Sequence, residues 1–399
     1  MPRISPVQTA LALLAGSLAL IVVHSLGRFA FTPLLPHFLN DGLLTLEQGA
    51  RLATWNYVGY LFGALSALIL HAPERQRVAL PVALCLNALI TLAQGFTDSY
   101  VLLWALRLLN GLTNGLVFVL APALVLEWLN RHQQARLSGL VYLGFAFGLL
   151  VSNVLANALD EQVQGAQRWW PMAALALPLA VISALLLARL ETAPQKAQHS
   201  TSAVRSPLFD RASTPLFIAY AGAGLGYILP MTFLPTLAQQ QLPAGDPLVG
   251  SIWYWTALAC MGGILLWNYL SSRWGDRSTL CATYAVQAVG AVAPLVWPGS
   301  LGISLCALLV GSSFVGSVFL TQRLARNLQP HQGPRLSAAL IALYGVAQLL
   351  GPWLAELWLS LGGTLTQSFA LGAGALLWAW FFSWLTPSQP SQELIKCPT

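Results

Sequence analysis

Acids are scarce in this sequence. Asp and Glu together number 13 in 399 residues, and all charged residues make up 8%. A soluble globular chain carries roughly a quarter charged residues, so a water-facing surface of this size cannot be covered, and most of the surface must face lipid. Cysteine is sparse too: Cys85, Cys260, Cys281, Cys306 and Cys397 show neither metal spacing nor a secreted disulfide pattern. Two residues follow Cys397, which excludes a prenylation box. There is no G-x4-G-K-[ST] loop to hold a nucleotide. The six histidines are too dispersed to supply a catalytic metal site or a nucleophile with its base. A membrane-embedded enzyme is therefore disfavoured, no metal or cofactor is expected, and energy must come from an ion or substrate gradient.

What is present in quantity is apolar residues, 56% of the chain, and 15 tryptophans, whose amphipathic rings collect at membrane interfaces. A spanning helix needs about 20 residues. Twelve apolar stretches near that length occur, at 10–38, 47–70, 78–96, 100–128, 135–158, 169–189, 214–239, 248–270, 279–297, 300–327, 335–359 and 365–386. The first lacks a small-residue cleavage site and reads as a retained span rather than a leader. Thr45 with Gln48 has the spacing of a capping box at the start of the second stretch. Segment 191–213 is polar, with Pro and Ser, and reads as a linker. With the N-terminus inside, most of the 19 basic residues fall on one side, Arg168 falls on the other, and Arg28, Arg51 and Arg107 lie within helices. That bias predicts both termini and the linker to be cytoplasmic. The net charge of +6 is then an orientation signal, and nucleic-acid binding is not needed to explain it.

An internal repeat shapes the fold. Arg136-Leu137-Ser138 recurs as Arg335-Leu336-Ser337, an offset of 199, and Gly27 with Leu35-Pro36 recurs as Gly226 with Leu234-Pro235. Gly63 matches Gly262 at that offset, and "LLNG" at 108–111 parallels "LLVG" at 308–311. Four coincidences in order argue for two six-helix halves, 1–190 and 214–399, joined by 191–213, the arrangement of alternating-access transporters. The fold class is thus all-α integral membrane, twelve transmembrane helices in two pseudo-symmetric bundles.

The fourth stretch contains Arg107-Leu108-Leu109-Asn110-Gly111-Leu112-Thr113-Asn114-Gly115, an R-x3-G-x3-G pattern. Glycines four apart let a neighbouring helix approach closely. Between the eighth and ninth stretches stands "YLSSRWGDR", at 269–277. With twelve stretches in 6+6, these motifs make the chain resemble the major facilitator superfamily over nearly its whole length. The 269–277 loop is similar to the superfamily's D-R-x-G-R signature, with Ser272 at the Asp position and Asp276 at an Arg position, and the copy between the second and third stretches is unrecognisable. The charged latch of those loops is therefore not expected intact. "GRFAFTPLLP", "WNYVGYLFGALSA" (55–67) and "YAGAGLGYILPMTFLP" (220–235) resemble the YbfB/YjiJ-type branch more narrowly. The resemblance implies a multi-pass protein of the bacterial inner (plasma) membrane, a monomer, with a small-molecule substrate. The fifth stretch has Gly144 and Gly148 without the Gly-Pro signature of the superfamily's drug/proton antiporters.

Candidate substrate-binding residues follow from depth and face. His24, Arg28 and Thr32, four apart, form one polar stripe. Asn56 and Tyr57 lie at comparable depth, as do Arg107, Asn110 and Asn114 on one face of the fourth helix. Two guanidiniums and several amides without a carboxylate suit an anion, because arginine forks a carboxylate or phosphate bidentately. Tyr227 stands where Arg28 stands in the first half, and Trp253, Tyr254 and Trp255 crowd the eighth helix, so the second half is expected to be an aromatic wall. Arg107 also suits an outward-snorkelling packing residue. Proton-coupling candidates are His24, Glu356 and Glu127; a neutral packed histidine and two interface acids are the competing readings. The leading reading is a secondary active carrier for a small anionic organic solute. A drug or toxicant efflux antiporter and a transporter-like receptor stay open.

Overall fold

The computed structural model describes residues 5–70, 73–158, 162–190, 209–243, 245–329 and 333–388. Of the linker expected at 191–213, residues 191–208 lie outside the described residues.

Among the described residues twelve helices follow one another. In the first half they are α1 (Pro6–Asn40), α2 (Leu46–Leu70), α3 (Pro73–Gln94), α4 (Tyr100–Arg131), α5 (a 3-10 stretch Ala135–Tyr142 continuing as α-helix Leu143–Ala158) and α6 (Gly165–Ala188). In the second they are α7 (Thr214–Gln241), α8 (Pro247–Trp274), α9 (Asp276–Val296), α10 (Ser300–Leu328), α11 (Gly333–Ser360) and α12 (Leu365–Leu385). Eleven are, among the described residues, long and apolar enough to cross a membrane, and α2, at 25 residues, completes the set. Helix starts are capped as the sequence indicates: the Thr45 hydroxyl accepts from Gln48 N (3.2 Å) while Gln48 Oε1 accepts from Thr45 N (2.9 Å). Ser5 with Gln8 and Thr364 with Gln367 repeat the device at α1 and α12, satisfying orphan amide donors at the helix starts.

Lipid tails are as apolar as leucine, so helices in a membrane associate through close packing. The tightest seam joins α2 to α4. A Cβ on Gly59 would stand 2.0 Å from the Leu108 carbonyl oxygen, on Gly63 2.0 Å from that of Leu112, on Gly111 2.0 Å from that of Asn56, and on Gly115 2.1 Å from that of Tyr60. Each helix therefore presents glycine to the other's backbone. The second half repeats the contact between α8 and α10: a Cβ on Gly263 would fall 1.7 Å from the Ser312 carbonyl oxygen, and on Gly311 2.8 Å from that of Thr256. Gly262, the match of Gly63 at an offset of 199, has nothing within 4 Å of such an atom. The structural counterpart is Gly263, because one residue more separates Pro235 from Gly263 than separates Pro36 from Gly63.

The halves meet along the axis through rings of α5 and α10, Phe145 with Phe314 (5.8 Å between centroids) and Tyr142 with Phe319 (6.3 Å). At the proximal end, where α1 begins, the 269–277 loop carries a charged contact after all. Asp276 opens α9 and accepts from Arg323 of α10 (2.6 Å), whose guanidinium also donates to Asn268 Oδ1 (3.1 Å) and Ser271 Oγ. The acid thus sits where the superfamily pattern has a base, and its arginine comes from another helix. At the distal end Asp41 accepts from Arg168 Nε (2.5 Å) and Nη2 (2.8 Å) and from Gly165 N (2.7 Å), tying the α1–α2 turn to the start of α6.

Two expectations follow. Gly263→Ala should lower the apparent Tm of the purified protein by several degrees, since overpacking costs about 1–3 kcal/mol. Gly262→Ala should leave it unchanged or raise it, alanine being favoured over glycine by up to about 1 kcal/mol in a helix; equal effects would refute the seam. The hydrogen bond from Arg168, with burial opposing it, holds the Asp41 carboxyl below its ordinary value. A depressed carboxyl stabilises the fold above its unfolded pKa, about 3.9, and that contribution is lost as pH falls through the folded value. Melting curves against pH should therefore show an acid-side loss below about pH 4 that is smaller in Asp41→Asn.

Candidate functional site

The middle of α1 is not α-helical. Over Ile21–Phe29 the chain takes a π-helical turn, with the Ala30 amide bonded to the Ser25 carbonyl five residues back (2.8 Å). Such bulges widen the helix and free backbone groups for other partners. Pro33 follows, and without an N–H it cannot serve the Phe29 carbonyl four residues before it. The Gly27 carbonyl accepts from a side chain of another helix, Arg107 Nη1 of α4 (3.0 Å). Gly27 is required here for close approach: a Cβ would stand 2.5 Å from Asn87 Oδ1 and 3.1 Å from Asn110 Nδ2.

Around this turn the first half builds an amide network. Asn56 Nδ2 donates to the Arg107 carbonyl (2.9 Å) and to Asn110 Oδ1 (3.2 Å). Asn87 Nδ2 of α3 donates to the Asn110 carbonyl (3.0 Å) and Thr113 Oγ1 (2.8 Å), and Asn110 Nδ2 donates to Thr91 Oγ1 (3.2 Å). His24 Nδ1 pairs with Asn114 Oδ1 (2.9 Å), and its ring stacks on Phe118 (4.2 Å) and meets Phe145 edge-on (5.0 Å). All of these polar side chains are buried.

The two arginines, at like depth in the sequence, have different surroundings. The Arg107 guanidinium lies over the rings of Phe31 (4.7 Å) and Trp169 (5.6 Å), wholly among first-half residues. It braces α4 against the opened turn and does not snorkel outward, being 2% exposed. Arg28, 3% exposed, points to the boundary between the halves. Its Nη2 donates to Gln348 Oε1 of α11 (3.0 Å), and Gln348 Nε2 donates in turn to the hydroxyl of Tyr227 on α7. The rings of Tyr60 (4.5 Å), Tyr57 (4.7 Å) and Phe29 (5.2 Å) flank the Arg28 guanidinium, a cation–π enclosure. Its Nε and Nη1 are buried without a hydrogen-bond partner, and among the described residues neither Arg28 nor Arg107 meets a carboxylate.

The structure thus gathers His24, Arg28, Asn56, Tyr57, Arg107, Asn110, Asn114 and Tyr227 into one region. Thr32 is half-buried and joins none of these contacts. Glu127 lies near the proximal end of α4, paired with Arg131 one turn on and half-exposed, remote from the arginines' rings. The side chain of Glu356 lies outside the described residues. The aromatic wall of the second half includes the expected Tyr227; of the expected α8 residues Trp253 is buried, and the rings that stack with Tyr227 come from α10 and α11. Tyr227 stacks between Phe314 (5.6 Å, 5° interplanar) and Tyr344 (5.2 Å, 14°), while Trp255 is half-exposed on the outside of the bundle. Sequence reading missed Gln348, Tyr344, Tyr60 and Asn87. The signal for Gln348 is a lone amide one turn beyond Tyr344 in an apolar helix; that for Asn87 is an amide in the middle of the apolar run of α3. Toward the proximal end, a cleft of about 750 Å³ lies between the halves, with Asn130, Arg136, Asn268, Arg323 and Arg326 in its wall.

Two six-helix bundles closing on a buried, basic and aromatic region define a membrane transporter of the major facilitator fold. The family model described as "Uncharacterised MFS-type transporter YbfB" matches residues 20–383, and the chain belongs to that family. It is 27% identical over 305 residues to a probable 4-methylmuconolactone transporter of Cupriavidus pinatubonensis, covering 72% of this chain and 69% of that protein. Among solved structures it is similar to the major facilitator superfamily transporter FucP in its outward conformation (17% identity, 95% of this chain and 98% of that one, TM-score 0.69). It is likewise similar to a variant of the E. coli fucose:proton symporter FucP (16% identity, 95% and 98%, TM-score 0.66).

The division between the arginines has a stability signature. Arg107→Gln removes a brace on the opened turn and should lower the apparent Tm by about one to four degrees, the equivalent of about 1–3 kcal/mol for a carbonyl left without its charged donor. Arg28→Gln removes a buried charge that has no counter-charge and should hold or raise Tm. A larger fall in Arg28→Gln than in Arg107→Gln would reverse the assignment.

Proposed function

We propose that this protein is a secondary active carrier that moves a small organic carboxylate across the membrane by alternating access, with Arg28 as the anion-binding group. The observation that carries this reading is the Arg28 guanidinium: buried at the boundary of the halves, ringed by aromatics, with Nε and Nη1 unpaired and, among the described residues, no acid beside it. A charge within a span is costly unless a partner or pathway uses it. A group shared by both halves is one that a rocking motion exposes first to one side and then to the other. The relative from Cupriavidus supports the same class, since a muconolactone is the lactone of a dicarboxylic acid and keeps one carboxyl, ionised at neutral pH. The amide network and Arg107 then serve to hold the α1 turn that aims Arg28, while His24 is the one proton-coupling candidate beside it. The protein sits in the bacterial inner membrane as a monomer with both termini cytoplasmic.

The test is uptake of 4-methylmuconolactone into proteoliposomes under imposed pH and substrate gradients. Arg28→Gln should lower kcat/KM about tenfold or more, as expected for loss of a charged hydrogen bond worth 1.5–3 kcal/mol. Arg28→Lys should recover part of it, since charge returns without the fork. Undiminished uptake in Arg28→Gln would remove the anion site. Binding without uptake under any gradient would favour a receptor.

A further inference from the structure

Gln348 was not among the residues the sequence marked, yet it is the side chain that links the site across the halves. It is 2% exposed, on α11, one turn beyond Tyr344. Its amide has one orientation that the surroundings allow. Nε2 donates to the Tyr227 hydroxyl, which leaves Oε1, the acceptor, toward Arg28 Nη2 at 3.0 Å; a flipped amide would set its NH2 against the guanidinium. Tyr227 is itself held in place by stacking between Phe314 and Tyr344. A fixed tyrosine therefore presents a fixed carbonyl oxygen to Arg28.

From this geometry we infer that Gln348 is a built-in stand-in for the substrate's carboxylate. Its amide oxygen occupies one donor of Arg28, holds the halves together through an Arg28–Gln348–Tyr227 chain, and is displaced when an anion takes the fork. The inference rests on the reading of Arg28 as the anion-binding group. A neutral amide oxygen makes one hydrogen bond to Nη2, whereas a carboxylate makes two parallel, charge-assisted bonds of roughly twice the strength each; both forks of the guanidinium, Nε with Nη2 and Nη1 with Nη2, need the nitrogen that the amide holds, and their other members are without a partner. Exchange therefore favours the anion over the amide. Neutral solutes lack that advantage, so Gln348 acts as a specificity filter: only a ligand that outbids the amide frees α1 from α11. The exchange also replaces a direct contact between halves by one that runs through the ligand, which couples occupancy to the movement of the halves. The displaced amide keeps Nε2 on Tyr227 and can turn its oxygen away, so no buried donor is stranded.

The experiment uses the full-length purified protein and 4-methylmuconolactone as probe, with binding measured by calorimetry, uptake in proteoliposomes, and each variant checked by gel filtration. Gln348→Glu places a covalently held carboxylate on Arg28 and should weaken probe binding at least tenfold while raising the apparent Tm. Gln348→Met removes the competing oxygen at similar volume and should tighten probe binding severalfold while slowing uptake, a pairing that loss of packing alone does not give. Met carries the test should the Glu variant fail to fold. If both bind the probe within twofold of wild type while Arg28→Gln binds it at least tenfold more weakly, the stand-in role of Gln348 is overturned and the anion site stands. If Arg28→Gln binds as wild type does, or wild type does not bind, the reading of Arg28 falls and this inference with it.

Discussion

A guanidinium held inside a membrane protein without a carboxylate is the constraint around which the rest of this structure is arranged. Moving such a charge out of water costs several kcal/mol even after relaxation, and Arg28 recovers little of that through its single bond to Gln348. The aromatic rings of Tyr57, Tyr60 and Phe29 offset part of the cost, cation–π contacts being worth more when desolvated. What remains is borne by the packing of the first half. Arg107 donates to the Gly27 carbonyl of the opened turn, Asn87 and Asn110 pack against Gly27, and Asn56 ties the same stretch of α4 from α2, all through backbone, amide and hydroxyl partners and none through a carboxylate. The network fixes the stem of Arg28 while leaving its fork available.

The close α2–α4 seam has a consequence for that network. Glycines at 59, 63, 111 and 115 bring the two backbones near enough for Asn56 to reach the carbonyl of Arg107 from the neighbouring helix. In the second half the equivalent seam runs through Gly263 and Gly311, but Thr256 faces Gly311 where Asn56 faces Gly111, and its hydroxyl turns back to its own helix at Ile252. The duplicated glycines keep the backbone geometry, and the polar function has been kept in one copy alone. Pseudo-symmetry of packing and asymmetry of chemistry thus coexist at the same positions.

Much of the fold was legible because it is dictated by bulk properties. Low charge, twelve apolar runs, the capping residues and the glycine spacing each constrain helices independently of neighbours. The site was legible by residue type and depth, which is why Arg28 and Arg107 entered together, and why their division was hidden. Whether an arginine braces its own bundle or faces the other depends on what stands across from it, and neither Trp169 nor Gln348 is near in sequence. The π-helical turn has no local signature in "IVVHSLGRF"; Asn87 of α3 and Asn110 and Arg107 of α4 stand against it from elsewhere in the sequence. The offset of 199 misplaced Gly262 by one residue, because one residue more separates Pro235 from the α8 seam, a register that sequence alone aligns by letters. The charged contact of the 269–277 loop was obscured for a related reason: Asp276 stands in a basic position, and its arginine is 47 residues away.

The asymmetry between halves also explains how a closed arrangement of this kind can open. Among the described residues the second half brings to Arg28 an amide and three stacked rings, Phe314, Tyr227 and Tyr344, and no formal charge. An acid in place of Gln348 would make a buried ion pair, and separating one costs about 3–5 kcal/mol because each charge is stranded. A hydrogen bond between a charge and a neutral amide is worth about 1.5–3 kcal/mol, which lies within what a bidentate carboxylate supplies on arrival. On the proposed reading, the strength of the central contact is matched to the ligand class, strong enough to order the ligand-free state and weak enough for a single anion to replace. Charge on one side and polarisable, neutral groups on the other is the composition that permits this, and it accounts for why duplication preserved Gly27 and Pro36 but placed a tyrosine where the first half has its arginine.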